Sequence, residues 1–551
     1  MVAKIVRKIA YWNNASSKTI GGAALLIALS GIASRLLGFV RDRILATSFG
    51  AGDVLDAYYT AFRIPDLLYG LLVAGALSAA FVPIFTELVT KRREEEAWRL
   101  TSALLIFLLV TLGLLGLLGI LFAPALTTLL APGFGAEKKE LATLLTRIML
   151  LSPVFLGVSA VFGGVLMSFK RFLAYACAPI FYNLGIIFGA LFLVPSFGAK
   201  GLAWGVVLGA FLHMAIQYPA LRGTGFRVLP EHRFIWRNPA ARRVIALMIP
   251  RSLSMGVSQV SLLVMTAFAS TLASGSLAAF TFANNIQSVP LGLFGIAFAL
   301  AVFPSLSIYA AEKEGAKFFQ ALCGTAQRIL FFVVPLSFAM VIFRAQFVRV
   351  ILGAGQFDWE DTILTFEVMK FLALSLFAQS LIPLFARAFF ALQNTKTPLY
   401  IALASEAVHI ALIPFLLPYF QVQALAITFS LASVLNAGLL YWYLRQKAVF
   451  WEDRAFMVPA AKIFSAAILA SLVAQLSKTV FALTTNELDT FIEVFLQLIV
   501  GLLIGGGSYV FFAYLLGIHE LDMVKRFVFS RLLRQPEKAV LTEDHPERGD
   551  W

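Results

Sequence analysis

The chain has 551 residues, of which 60% are hydrophobic and 13% charged, with a formal net charge of +14. A mean hydropathy of +0.86 excludes a soluble globular fold and puts the chain among polytopic membrane proteins. The basic excess does not imply nucleic acid, because Lys and Arg are parcelled among short loops, the pattern that orients membrane helices.

In chain order, residues 1–19 (MVAKIVRKIAYWNNASSKT) are basic, and Val2, Ile5, Ile9 and Trp12 share a helical face. This predicts an interfacial helix rather than a removable signal peptide, since no short apolar core with a small-residue cleavage site follows. Apolar runs of about 20 residues then fall near 20–42, 53–89, 100–125, 140–169, 172–195, 200–221, 241–273, 276–311, 318–343, 362–391, 398–418, 421–444, 457–482 and 490–517. With a cytoplasmic N-terminus, every second loop is cytoplasmic. Those loops hold Lys91, Arg92 and Arg93, Lys170 and Arg171, Arg222 to Arg243, Lys313 and Lys317, while the opposite loops carry little beyond Lys138, Lys139 and Lys200. The asymmetry predicts fourteen helices with both ends inside. The polar stretch 519–551 reads as a cytoplasmic tail.

The chain also repeats. AKGLAWGVVLGAF around Leu202 resembles VQALAITFSLASV around Leu425, and Lys170–Arg171 falls opposite Gln393–Asn394 at an offset of 223. AAFVPIFTE with Pro83 resembles LAVFPSLSI with Pro304 at an offset of 221. The expected fold is therefore an all-α polytopic membrane protein: two parallel six-helix lobes, 20–222 and 241–446, a linker at 223–240, and two extra helices within 447–518. Such an architecture suits alternating access around a midplane cavity, without naming a substrate.

Charges within the spans are costly and so face a cavity or a partner. The densest set is Arg35, Arg41, Asp42, Arg43, Asp53, Asp56, Arg63 and Asp66. Arg63 and Asp66 share a helix face, and Pro65 between them bends the helix. Arginines lining a cavity suit a phosphate or pyrophosphate; for Arg41 and Arg43 the alternative is snorkelling to the interface. The second half has fewer charges: Arg251, Arg387, and the spaced pairs Glu367–Lys370 and Glu406–His409. A single E-x-x-H cannot build a carboxylate metal centre, so neither metal nor cofactor is expected. Glu406 is left with a proton-linked or a structural role. No P-loop and no nucleophile–base set is present, so no enzyme activity is expected. Cys177 and Cys323 read as buried small residues, and Gly505–Gly507 as a helix-packing site.

The stretch SRLLGFVRDRILATSFGAGDVLDAYYTAFRIPDLL followed by GALSAAFVPIFTE resembles the N-terminal signature of the MurJ (MviN) lipid II flippases, members of the multidrug/oligosaccharidyl-lipid/polysaccharide exporter superfamily. SQVSLLVMTAFASTLASGSLAAFTFANN, VPLGLFGIAFALAVFPSLS and ARAFFALQNTKTP resemble later parts of the same family. The resemblance implies a monomeric protein of the bacterial inner membrane. It implies transfer of lipid II, the undecaprenyl-pyrophosphate-linked peptidoglycan precursor, between leaflets through a cationic cavity, with the lipid tail on the two extra helices. Carried over by residue, it implies substrate contacts at Arg35, Arg41 and Asp56. Arg63, Asp66, Asn284, Asn285, Ser288 and Arg387 complete the candidate set from their place in the helices. Departures fall at Tyr69–Gly70, Ala74, Asn285 and Ser288, where relatives often carry charge, and at Met265, where some have an Asp. Asn284, Asn285, Gln287 and Ser288 can hydrogen-bond a sugar or phosphate, or tie helices together. The lost charges leave another polyprenyl-linked glycan open as substrate, and a non-transporting membrane scaffold is the reading from a different class.

Overall fold

The computed structural model describes residues 20–74, 77–229, 239–447, 452–484 and 490–522. The expected interfacial helix at 1–19, the middle of the linker and most of the tail lie outside these. Every regular element described is helical. The first half comprises α1 (Ile20–Phe49), α2 (Asp53–Tyr69), α3 (Leu77–Thr90), α4 (Glu94–Leu121), α5 (Ala123–Leu130), α6 (Ala136–Met149), α7 (Ser152–Ser168), α8 (Phe172–Phe188), α9 (Val194–Phe197), α10 (Lys200–Ala215) and α11 (Tyr218–Arg222). Then come α12 (Pro239–Ala269), α13 (Ser276–Pro290), α14 (Ala297–Ala311), α15 (Gly315–Ile342), α16 (Arg344–Leu352), α17 (Trp359–Leu374), α18 (Leu376–Ala391), α19 (Lys396–Phe420), α20 (Val422–Lys447), α21 (Asp453–Thr484) and α22 (Phe491–Leu515). Three π-helical segments, Gly70–Ala74, Gly189–Leu193 and Leu291–Ile296, interrupt longer helices.

This is a multi-pass membrane fold. Among the described residues ten helical spans are long and apolar enough to cross a bilayer, or eleven if α17 and α18 count as one. That is fewer than the fourteen expected. The expected spans at 20–42, 53–89 and 241–273 coincide with α1, with α2 plus α3, and with α12, none of which is among the ten. The α2–α3 stretch is broken at Gly70–Ala74, and α2 carries Asp53, Asp56, Arg63 and Asp66.

The sequence repeat is written into the backbone. Non-glycine residues with positive φ are uncommon, yet they recur here at matched places in the two halves. Arg92 (57°) and Lys313 (58°) are related by the same offset as Pro83 and Pro304. Lys170 and Gln393 (both 58°) are related by the offset of the two basic or amide turns, and so are Gly198 (59°) and Gln421 (50°). The four non-glycine residues Arg92, Lys313, Lys170 and Gln393 end their helices alike. In each case the next N–H reaches back to the carbonyl five positions earlier: Arg93 to Leu88 (2.9 Å), Glu314 to Tyr309 (2.9 Å), Arg171 to Leu166 (2.8 Å) and Asn394 to Phe389 (2.9 Å). These are Schellman-type stops. The π segments beginning at Gly70 and Leu291 are again related by the Pro83–Pro304 offset.

The chain forms two compact units. One comprises the chain up to Val289, Arg344–Leu372 and Thr395–Asn436; the other comprises Pro290–Phe343, Ala373–Asn394 and the chain from Ala437. In the first, Phe81, Phe85, Trp98, Leu104 and Val161 form a buried core between α3, α4 and α7. There α8 and the π segment after it approach α10 through glycines: a Cβ at Gly185 would strike the backbone of Gly209, and one at Gly189 that of Gly205. This is small-residue packing of the kind that lets membrane helices touch backbone to backbone. In the second unit α21 and α22 form a hairpin against α15, with Tyr509 donating to the Phe331 carbonyl (2.9 Å). The packing expected at Gly505–Gly507 holds for Gly505, which lies against Ala474, whereas Gly506 and Gly507 have open space. Gly501, one turn earlier, is the tighter contact, under the Phe343 ring. Cys177 is half-buried and Cys323 buried, both as free thiols.

Candidate functional site

The polar residues of α1 and α2 gather in the first unit. Asp42 is buried, and both its oxygens are used. Oδ1 accepts from Arg41 Nε (2.9 Å) and Nη2 (2.8 Å), and Oδ2 accepts from Asn285 Nδ2 on α13 (2.9 Å). Arg41 Nη1 donates to Asn183 Oδ1 on α8 (3.0 Å). Arg41 is thus not free: its charge is compensated beside it, and its fork holds α1 to α8. Arg43 is engaged by protein as well. Its Nη1 donates to the Val350 carbonyl (2.6 Å) in the last turn of α16, where a cation meets the negative end of the helix dipole.

A second cluster closes around Asp56. Its carboxylate is 3% exposed; Oδ2 accepts from Lys138 Nζ (2.7 Å) and the Gly275 N–H (2.8 Å), and Oδ1 from the Ala278 N–H (2.9 Å). Asp56 therefore caps the start of α13 from α2, a favourable place for an anion. Only glycine fits at 275, where φ is 84° and a Cβ would collide with the Ala51 carbonyl. Asp53 shares Lys138 (2.6 Å) and accepts from Ser274 Oγ (2.7 Å). Lys138, an outer-loop charge in the sequence, joins this cluster although the candidate set lacks it; its isolation on a loop face poor in basic residues is the signal that points to it.

Two further arginines of α1 and α2 form no ion pair with a carboxylate among the described residues. Arg35 is accessible, and its Nη1 donates to the Val289 carbonyl (3.0 Å), where the chain leaves α13 for the π segment. Arg63 Nε donates to Thr266 Oγ1 on α12 (2.8 Å). Asp66, on the turn that follows, is exposed and forms no ion pair among the described residues. Asn284 accepts from Gln287 (3.1 Å), and Ser288 Oγ donates to the Asn285 carbonyl (2.7 Å), both within α13. Of the candidate residues, Arg387 belongs to the second unit. Its Nη1 donates to Pro383 of its own helix (3.1 Å). Tyr69 packs on the apolar core, Met265 is buried, and Ala74 closes the π segment.

Chemically, the constellation separates structural charges from available ones. Asp42–Arg41 and Asp56–Lys138 are internally balanced, whereas Arg35 and Arg63 form no ion pair among the described residues, although Asp66 acts on Arg63 electrostatically from the next turn of α2; their guanidinium groups are suited to a planar anion. Arg41→Ala leaves Asp42, 4% exposed in its side chain, with Asn285 alone. Removing one partner of a buried pair costs about 3–5 kcal/mol. The variant is expected to lose thermal stability in detergent, and Arg41→Ala/Asp42→Asn to recover most of it. Equal melting of single and double variants would sink this assignment.

The sequence matches the family model of the lipid II flippase MurJ over residues 45–498. It is 30% identical over 502 residues to the probable lipid II flippase MurJ of Buchnera aphidicola subsp. Acyrthosiphon pisum (strain APS), covering 90% of this chain and 97% of that protein. The fold is similar to a solved lipid II flippase MurJ in an inward closed conformation, with a TM-score of 0.74 at 22% identity over 93% of this chain and 100% of that one. It is also similar to an inward-facing multidrug resistance MATE family transporter of the MOP superfamily, with a TM-score of 0.62 at 16% identity over 75% and 94% of the two chains.

Proposed function

The chain belongs to the MurJ family of lipid II flippases, and from that premise we propose that it carries lipid II from the inner to the outer leaflet of the bacterial cytoplasmic membrane. The observation that supports this reading is a pair of arginines, Arg35 and Arg63, that form no ion pair among the described residues of a fold built on long apolar helices. A pyrophosphate must leave water to cross a bilayer, and two guanidinium groups replace its hydration with charge-assisted hydrogen bonds. Arg41 and Asp56 shape the same site through the contacts given above, and Asp66 through its charge one turn from Arg63. Asn284, Asn285 and Ser288 are assigned to the sugar and phosphate oxygens, and Arg387 to a further anion contact.

The lobes 20–222 and 241–446 alternately open this site to either side, joined by 223–240. The helices of 447–518 receive the polyprenyl tail, and 519–551 forms a tail in the cytoplasm with the N-terminus. The protein acts as a monomer in the lipid bilayer and transports lipid II without transforming it.

Complementation tests the reading. Expression in a bacterium depleted of its own lipid II flippase is expected to restore growth and wall synthesis. Correct membrane insertion without rescue would refute it.

A further inference from the structure

The transport reading leaves one buried ionisable cluster unused. Glu406 and His409 lie close to the middle of α19, which runs from Lys396 to Phe420. His409 is fully buried; its Nδ1 is 3.2 Å from Glu406 Oε2 and 3.3 Å from Ser261 Oγ on α12. An ionised carboxylate only accepts, so Nδ1 carries the hydrogen that it shares with Glu406. The other ring nitrogen, Nε2, is buried with no hydrogen-bond partner among the described residues. The ring meets Phe429 of α20 edge-on, with centroids 5.8 Å apart. Ser405, one turn before His409 on the same helix face, also has a buried hydroxyl with no partner among the described residues.

We propose that His409 is an intramembrane proton-binding site, with Glu406 as its counter-ion, that takes up and releases one proton as the protein changes conformation. A carboxylate and an imidazole in mid-span are costly if their only task is to tie α12 to α19. A structural tie also has no need of two orphaned polar atoms on one face. In the conformation described, a proton added at Nε2 creates a charged N–H facing apolar neighbours. An unmet buried donor costs about 1–3 kcal/mol, and more when charged. A conformation that offers Nε2 an acceptor, for which Ser405 Oγ has unused lone pairs, removes that cost. Protonation therefore favours the second conformation, and deprotonation the first.

Other ionisable groups on the neighbouring helices are paired or lie toward helix ends. No ionisable side chain lies between Arg251 and the end of α12. On α20, Tyr441, Tyr443, Arg445 and Lys447 are at the far end. On α17, Glu367 is paired with Lys370 and with Arg344 of α16. The rest of α19 offers only Lys396, Tyr400 and Tyr419 toward its ends. Use of the proton to drive transport rests on the alternating-access reading; proton binding itself does not.

The test uses the full-length protein in lipid nanodiscs, with spin labels on Lys91→Cys and Glu312→Cys and both native cysteines replaced by serine. Distance distributions are measured by electron–electron resonance from about pH 5 to about pH 8, the range in which an imidazole titrates. The expected result is a two-state change whose population ratio varies up to about tenfold per pH unit, the limit for one linked proton. His409→Gln abolishes it. Glu406→Gln, which removes the counter-ion, moves the midpoint toward acid by about one pH unit. A distribution that ignores pH, or a transition unchanged in His409→Gln, overturns the proposal. If His409→Gln is not recovered as monodisperse protein, Glu406→Gln and Ser405→Ala decide: midpoints identical to wild type in both overturn it. Because the readout needs no lipid II, its failure is separate from failure of complementation.

Discussion

Asp56→Ala is expected to abolish rescue of a flippase-depleted strain and to lower the thermal stability of the purified protein. The carboxylate is 3% exposed and answers Lys138 and the Gly275 and Ala278 N–H groups together. Its removal leaves the Lys138 ammonium with Asp53 alone, a smaller loss than the about 3–5 kcal/mol of a fully stranded buried charge, and uncaps α13, which by itself costs about 0.5–2 kcal/mol. The two overlap and do not add, because one carboxylate serves both. Asp56→Asn keeps an acceptor for the helix cap while giving up the charge, so it should fall between alanine and wild type. Lys138→Met should cost less than Asp56→Ala, since the carboxylate keeps its two backbone donors. Combined with Asp56→Asn it should cost less than the sum of the single changes. Wild-type growth and melting of Asp56→Ala would show that this closure contributes nothing.

Arg35→Ala combined with Arg63→Ala is expected to abolish rescue for a different reason, with protein level and melting close to wild type. Neither arginine is committed to a carboxylate among the described residues; one donates to a carbonyl and the other to a hydroxyl. Truncation therefore leaves no buried carboxylate stranded. What is lost is attraction for the pyrophosphate, about 1.5–3 kcal/mol for each hydrogen bond to a charged group, or about ten- to hundredfold in affinity per arginine. Each single variant should bind lipid II more weakly in native mass spectrometry, and lysine should restore only part, because a point charge lacks the two-pronged fork. A double variant that binds and rescues as wild type would move the anion site elsewhere.

The two experiments separate charges that hold the fold from charges available to a substrate. In the sequence these classes looked alike: Arg35, Arg41, Arg43 and Arg63 are all arginines in apolar surroundings on the first two helices. Only their partners differ. Arg41 has Asp42 and Asn183, and Arg43 has a helix end. Neighbouring spacing revealed some pairs, since Glu367–Lys370 and Glu406–His409 are local contacts that helix geometry dictates. It could not reveal Lys138 beside Asp56 or Asn285 beside Asp42, which are remote from each other along the chain. Asn285, where relatives often carry charge, is also the second residue to donate to the buried Asp42 carboxylate.

Hydropathy, loop charge and the two recurring offsets were enough to establish a helical, multi-pass, internally repeated membrane protein; the family it resembles was carried by the SRLLGFVRDR stretch and the motifs after it. They sufficed because each is a property of short segments: the bilayer sorts residues by polarity, and a helix stop such as Lys170 or Gln393 is set by a few neighbours. Which charges are satisfied, where the π segments interrupt α2 and α13, and which glycines touch another backbone were settled only when distant helices met. A buried charge takes whatever donor the packing brings within about 3 Å, and that depends on three-dimensional closure rather than on any local pattern.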